Sequence, residues 1–421
     1  MSSPLLDRNW DRRTFLRAAG AIGAVSAVSA VTAACGSSSS SAIQQWYHQY
    51  GEKGVEQAVK RYAGSYKKTK INVQWTPGDY DTKLSASLLS KAAPDIFEGT
   101  ADLTSVRAHQ VTPLDDLIAK VRADFTPAIL KSHTVEGKLY GIPQAIDMQM
   151  LFYRKSWFER ANLAPPSTVD ELIHAAKVLT TGQRKGFFAG NDSGVTVLAP
   201  VSLWSVGLDY LSSDGATAGF DDPQAVTAFG KLRELYSSGA LLAGAPTDWS
   251  DPSAFIQGLT AMQWTGLWAV PQIQDALHDD FDVLPWPKLT SGGSASVPIG
   301  AFGSQVSAKS KHLDAAKQFV QWLWVDRTDY QQDFNLSYGL HIPPRKSIAA
   351  KAKRLQTGAA AKAVNYVQTI GRTGGGPTWT APMSTALTDA LSNIVRKGNN
   401  PSSELKTAVT TINSALRRQR Q

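Results

Sequence analysis

Two hydrophobic periods alternate along the chain from residue 43 onward. Residues 43–47 read as a strand, and from about Glu52 the apolar residues Val55, Ala58, Val59, Tyr62 and Tyr66 recur at three- and four-residue spacing, the single stripe of an amphipathic helix. Ile71, Val73 and Trp75 then alternate with Asn72 and Gln74, which predicts a second strand. Residues 80–91 predict a helix, 94–97 a short strand, and 169–179 a helix whose start carries the capping box of Thr168 and Glu171. This order predicts βαβ units and an α/β fold, in which ligands bind at the carboxyl ends of strands, where loops meet helix N-termini.

Before residue 43 the pattern is different. Residues 18–34 are weakly apolar, built from Ala, Gly, Val and Ser without Leu or Phe, and they follow the basic stretch that holds Arg12 and Arg13. That combination predicts a targeting segment rather than a permanent span. The paired arginines resemble a twin-arginine export signal, with Asp11 where such signals carry Ser or Thr. The lone cysteine, Cys35, ends the segment in a stretch that resembles a lipoprotein cleavage box, with Thr32 at its usual aliphatic position; residues 36–42 form a Ser-rich tether. A single thiol makes no internal disulfide, so Cys35 is expected to carry the lipid.

Composition narrows the function. With 43% hydrophobic and 19% charged residues, the remainder is long enough for two lobes or domains. The net charge of +8 is modest and its basic residues are scattered except for Arg417, Arg418 and Arg420, which gives nucleic-acid binding little support. No HExxH, GxSxG or phosphate-cradling glycine loop occurs, and the 7 histidines are dispersed, so neither a metal nor a cofactor is expected.

The order of segments resembles the extracellular solute-binding proteins of ABC importers, in the sugar-binding group that includes maltose-binding protein. The resemblance rests most on Glu136-Gly137-Lys138-Leu139-Tyr140-Gly141-Ile142-Pro143, continuing through Asp147 to Leu151-Phe152-Tyr153-Arg154-Lys155, with Arg154 at the family's usual Asn. Ala93-Pro94-Asp95-Ile96, Asp282-Val283-Leu284-Pro285 and Ile342-Pro343-Pro344-Arg345 add to it. It implies a two-lobed α/β, periplasmic-binding-protein-like fold. The chain would cross near 145–147, 283–285 and 324–327, giving one lobe from 43–146 and 285–325 and another from 147–284 and 326–421. It also implies a monomer that captures a sugar-like molecule, docks on ABC transporter permease subunits, and is held to the outer face of the membrane through lipid on Cys35.

Aromatic and polar residues supply the candidate site. All but one of the 12 tryptophans lie beyond the leader, and a pyranose packs its C–H face on an aromatic ring. Trp75, Trp157, Trp322 and Trp324 sit on strand or helix patterns and read as packing residues, while Trp46, Trp264 and Trp286 read as structural or cleft-edge. Trp204, Trp249, Trp268 and Trp379 lie in Gly/Pro/Ser/Thr-rich contexts that predict loops able to face a cleft. Polar candidates are His48, Tyr80, Asp81, Glu98, Asp102 and Asp147, with Phe302 and Arg345 from later loops. Each has a structural alternative: Asp81 as a helix cap, Glu98 and Asp102 as solvated carboxylates, His48 as a packing residue. The rival ligands on the same fold are a glycerophosphodiester, a peptide or a polyamine. The rival class is a secreted glycoside hydrolase, which would use a carboxylate pair.

Overall fold

The structure, a computed structural model, describes residues 42–90 and 92–420. The leader at 1–34, with Arg12 and Arg13, and Cys35 lie outside the described residues.

The predicted first elements form where their periods place them. The strand Ile43–His48 buries alternate side chains, Ile43, Gln45 and Tyr47, and the helix Val55–Ser65 buries Val55, Ala58, Val59, Tyr62 and Ala63, the residues one stripe of a helix presents together. The helix Tyr80–Leu88 starts under a cap from Asp79, whose side chain accepts from the Thr82 amide, so Asp81 is an exposed first-turn residue and not the cap. The helix Val169–Leu179 opens with the expected capping box. The helix Leu313–Gln321 continues into a π-helical turn, Trp322–Asp326, that buries Leu323, Trp324 and Val325.

Two sheets organise the chain. The first has five strands in the order Ile71–Thr76, Ile43–His48, Ile96–Gly99, Gly303–Val306 and Ile142–Pro143. Its first three are parallel, with Ile43 opposite Ile71 and Gln45 opposite Ile96; Gly303–Val306 runs antiparallel between its two neighbours. The second sheet orders Gly371–Arg372, Val297–Gly300, Asp147–Tyr153, Thr260–Gly266 and Lys185–Phe188, with Asp282–Leu284 pairing further along Asp147–Tyr153. Apolar clusters cover each sheet on two faces, so each centres a lobe of the predicted α/β class.

Sheet membership follows the chain differently from the expected segments. Residues 144–146 link the edge strand of the first sheet to Asp147–Tyr153 of the second. The return comes later than the expected 284/285 boundary. Val297–Gly300 still pairs with Asp147 and Met148, and the chain re-enters the first sheet only at Gly303. Residues just beyond 326 also stay with the first sheet, because Phe334 on the helix Thr328–Leu336 packs in its cluster and Asp333 pairs with Arg61. A hydrophobic pattern shows that a strand is buried but not which sheet buries it.

Close packing leaves little slack where the helix Val169–Leu179 lies on the strand Lys185–Phe188. A Cβ at Gly186 would lie 1.9 Å from the Ala176 carbonyl oxygen, whereas one at Gly64, exposed on the helix Val55–Ser65, meets nothing within 4 Å. Gly186→Ala is therefore expected to destabilise the protein by about 1–3 kcal/mol or more. Gly64→Ala should stabilise it by about 0.5–1 kcal/mol. Urea midpoints that move in opposite directions check both.

Candidate functional site

The strand ends that the two sheets turn toward one another enclose the candidate site. From the first sheet come the carboxyl ends at His48 and Gly99, with Phe302 entering the antiparallel strand beside them. From the second come Asp147, paired with Gly300, and Gly266, paired with Gln149. Between them lie two adjoining chambers of 600 and 370 Å³ that share Asp147, Trp268 and Phe302 as lining. The larger adds His48, Tyr50, Glu52, Lys53, Tyr338 and His341; the smaller adds Thr100, Gln149 and Trp249. Two further hollows, of 670 and 360 Å³, are lined without an aromatic ring.

An aromatic wall forms on the second lobe. Trp249 and Trp268 have ring centroids 5.8 Å apart and planes inclined at 66°. The Trp268 indole crosses Gly266, where a Cβ would lie 2.0 Å from the ring, and its Nε1 donates to the Ser250 carbonyl at 2.9 Å. Buried Gln263 anchors the loop that carries Trp249: its amide donates to the Trp249 and Asp251 carbonyls, and its oxygen accepts from the Phe255 amide. The Trp264 Nε1 donates to Gln149 Oε1 at 2.9 Å, which orients that amide in the smaller chamber.

The first lobe contributes a polar corner. Glu98 is 1% exposed; its Oε2 lies 2.7 Å from His48 Nδ1 and accepts from the His48 amide, while Oε1 accepts from the Tyr50 hydroxyl. Tyr80, also buried, donates to the Glu98 carbonyl and accepts from the Glu98 amide. Glu98 and Tyr80 thus brace the surface residues from beneath it. Burial pushes the His48 pKa down, but the adjacent Glu98 carboxylate outweighs burial and the value is raised. The His48 ring stacks 4.4 Å from Phe302.

The remaining candidates lie elsewhere. Trp204 is wholly buried at the end of the helix Ala199–Trp204, where its Nε1 donates to Asp209, so the loop reading of its context is corrected. Trp379 stacks on Tyr210 at 4.6 Å and its Nε1 donates to Ser384, away from both chambers. Asp102 caps the helix Leu103–Arg107 by accepting from the Ser105 amide and hydroxyl. Arg345 donates to Asp124 and to the Val325 carbonyl. Short polar side chains at helix starts satisfy backbone donors, and a long cation finds the nearest carboxylate.

Five lining residues, Tyr50, Glu52, Gln149, Tyr338 and His341, escape the sequence reading. Tyr50 and Glu52 were within reach of it, since they share the loop that follows His48. His341 directly precedes the Ile342-Pro343-Pro344 motif, yet nothing in the sequence ties it to Asp147, 194 positions away.

The chain is similar to known proteins in both sequence and fold. The family described as bacterial extracellular solute-binding protein matches residues 46–324. A galactooligosaccharide-binding protein of Bacillus subtilis is 26% identical over 57% of this chain and 57% of its own length. The diacetylchitobiose-binding protein of Streptomyces coelicolor is 25% identical over 84% of each chain. Among solved structures, an ABC transporter solute-binding protein from Thermotoga lettingae bound with alpha-D-tagatose superposes with a TM-score of 0.77 at 20% identity, covering 90% of this chain and 100% of that one.

The Arg345 arrangement makes a prediction about stability. Burial raises the Asp124 pKa, but hydrogen bonds from Ser347 and Arg345 outweigh it and hold the carboxyl below its ordinary 3.8. A depressed carboxylate contributes stability above its unfolded pKa and loses it as pH falls through the folded value. Arg345→Ala should therefore cost about 1.5–3 kcal/mol at neutral pH. That cost should shrink in acid below 3.8, as seen by denaturant titration across pH.

Proposed function

The chain belongs to the bacterial extracellular solute-binding proteins, and from that premise we propose that it captures a neutral sugar, most suitably an oligosaccharide, in the cleft between its lobes. The observation that carries this reading is the pair of steeply inclined indoles, Trp249 and Trp268, beside the acceptors Asp147 and Gln149. Two inclined aromatic planes suit the apolar faces of successive sugar rings, while carboxylate and amide oxygens accept their hydroxyls. The names of the Bacillus and Streptomyces relatives support an oligosaccharide.

Charge favours a sugar over the rival ligands. In the larger chamber Glu52, Asp147 and Asp251 stand beside Lys53, His48 and His341, so groups of both signs line it, which suits a neutral ligand better than a polyamine or a phosphodiester. Capture works by closure: a ligand that touches both lobes favours the closed state by its differential affinity for it. A permease of an ABC importer would receive the closed, loaded protein. In this reading Cys35 carries a lipid anchor after twin-arginine export, the protein acts as a monomer outside the cytoplasm, and the crossings between lobes are 144–146, 300–303 and the stretch that follows Phe334. No helix among the described residues is long and apolar enough to cross a membrane.

Calorimetric titration with N,N′-diacetylchitobiose, galactotriose and maltotriose, after a thermal-shift screen that includes spermidine and glycerophosphocholine, tests the ligand class. Trp268→Ala and Trp249→Ala should each weaken binding of the responding sugar at least about tenfold, or ~1.4 kcal/mol. Trp204→Ala should lower stability by about 3–5 kcal/mol and leave affinity near the wild-type value. A thermal shift with spermidine or the phosphodiester, and none with sugars, would overturn the assignment.

The anchor is tested in cells. Cys35→Ala should release folded protein from the membrane fraction, and replacing Arg12 and Arg13 with Lys should block export. Retention of the Cys35→Ala protein in membranes after leader cleavage would refute the lipid, and undiminished export of the double-lysine variant would refute the twin-arginine route.

A further inference from the structure

The floor of the larger chamber holds a charge arrangement that the aromatic wall does not explain. His341, 5% exposed, places Nδ1 2.5 Å from Asp147 Oδ1 and Nε2 2.8 Å from Glu52 Oε1. Ionised carboxylate oxygens only accept, so both ring nitrogens donate and the ring is an imidazolium. Its two partners come from opposite sides of the cleft: Glu52 follows the Ile43–His48 strand of the first sheet, and Asp147 begins its strand in the second. Asp147 is also one of three residues that line both chambers.

We propose that His341 is a positioning residue for the ligand: its imidazolium, bridging Glu52 and Asp147, fixes the Asp147 carboxylate as an acceptor for a ligand hydroxyl and joins the two lobes at the cleft floor. The proposal rests on the sugar-capture reading above. A carboxylate held by one oxygen in a charge-assisted bond keeps one rotamer, so its other oxygen, Oδ2, meets a hydroxyl without a further ordering cost. Glu52 plays the complementary part, because a second carboxylate holds the cation in place although it is almost wholly buried.

The electrostatics of the surroundings support this. Burial pushes the His341 pKa down, but Asp147 and then Glu52 outweigh it and raise the value to about 10. Burial also raises the Glu52 carboxyl, and hydrogen bonding and charge from His341 outweigh it to hold that group below its ordinary value. The other titratable groups near the bridge are His48, Glu98 and Tyr50 from the first lobe, Lys53 on the Glu52 loop, Asp251 from the second lobe, and Tyr338 on the approach to His341. Because the folded pKa is raised, the bridge contributes stability that is fully present below the ordinary 6.5 and is lost as pH rises through about 10.

Substitution can separate the two arms of the bridge. His341→Asn offers an amide where Nδ1 stood and keeps a donor toward Asp147; His341→Gln places its amide nearer Nε2 and keeps a donor toward Glu52. With whichever of N,N′-diacetylchitobiose, galactotriose or maltotriose binds the wild type, His341→Ala and His341→Gln should weaken affinity at least about tenfold. His341→Asn should recover most of that loss, and equal affinity in folded His341→Ala and wild-type protein would overturn the proposal. A second measurement needs no ligand. The ¹⁵N spectrum of the His341 ring in the free protein should show both nitrogens protonated near pH 8, and a neutral single tautomer there would remove the bridge. If the wild type responds to spermidine or glycerophosphocholine and to no sugar, the sugar reading falls while the ring spectrum still decides the bridge.

Discussion

Everything in the cleft depends on how the backbone passes between the two sheets. The chain leaves the first sheet at Pro143 and starts a strand of the second at Asp147, and it leaves the second at Gly300 and re-enters the first at Gly303. Linkers this short hold the two sheets by their ends. Gly99 and Gly303 on one side therefore stand opposite Asp147, Gly266 and Gly300 on the other, and no long loop is needed to bring them together. A residue at one of these strand ends faces the cleft because of where its strand stops, and the same type elsewhere on a strand does not. The chain passes between the lobes once more after Phe334, since Leu336 and Leu340 already pack in a cluster of the second sheet.

On that frame the aromatic wall owes its placement to polar contacts with the backbone. The Trp268 indole is hydrogen-bonded to Ser250, the Trp249 loop is pinned by Gln263, and Gly266 gives up its side chain so that Trp268 lies flat against the strand. A large ring held in this way has lost its rotamer freedom before any ligand arrives, which reduces the entropy cost of binding. The opposite wall follows the same logic with charge: buried Glu98 takes hydrogen bonds from His48 and Tyr50 and sets them at the surface. Glu98 and Gln263, both buried, thus hold His48, Tyr50 and the Trp249 loop at the cleft.

The candidates that do not line the chambers share one feature. Trp204, Trp379, Asp102 and Arg345 were singled out for what their side chains can do for a sugar, and each has a hydrogen-bond partner within the protein. Trp204 and Trp379 find Asp209 and Ser384 for their indole N–H groups, Asp102 satisfies the open amides of a short helix, and Arg345 closes on Asp124. Buried polar groups need partners, and the fold supplies them from positions distant in sequence.

What the sequence determined by itself is the local structure and the class of fold. The stripe from Val55 to Tyr62, the alternation in 71–75 and the Thr168 and Glu171 box each depend on residues a few positions apart, so the chain carries that information in one short window. His48, Asp147, Trp268 and Phe302 were legible as candidates for a related reason, since they end, open or follow strands, Trp249 was legible from its loop-like context, and all five line the chambers. Tertiary structure alone decided which sheet took Val297–Gly300, which tryptophans were buried, and that His341 stands between Glu52 and Asp147. Those outcomes depend on contacts across 289 and 194 positions, where the partner is chosen by the packing of whole lobes and leaves no periodic trace in the residues themselves.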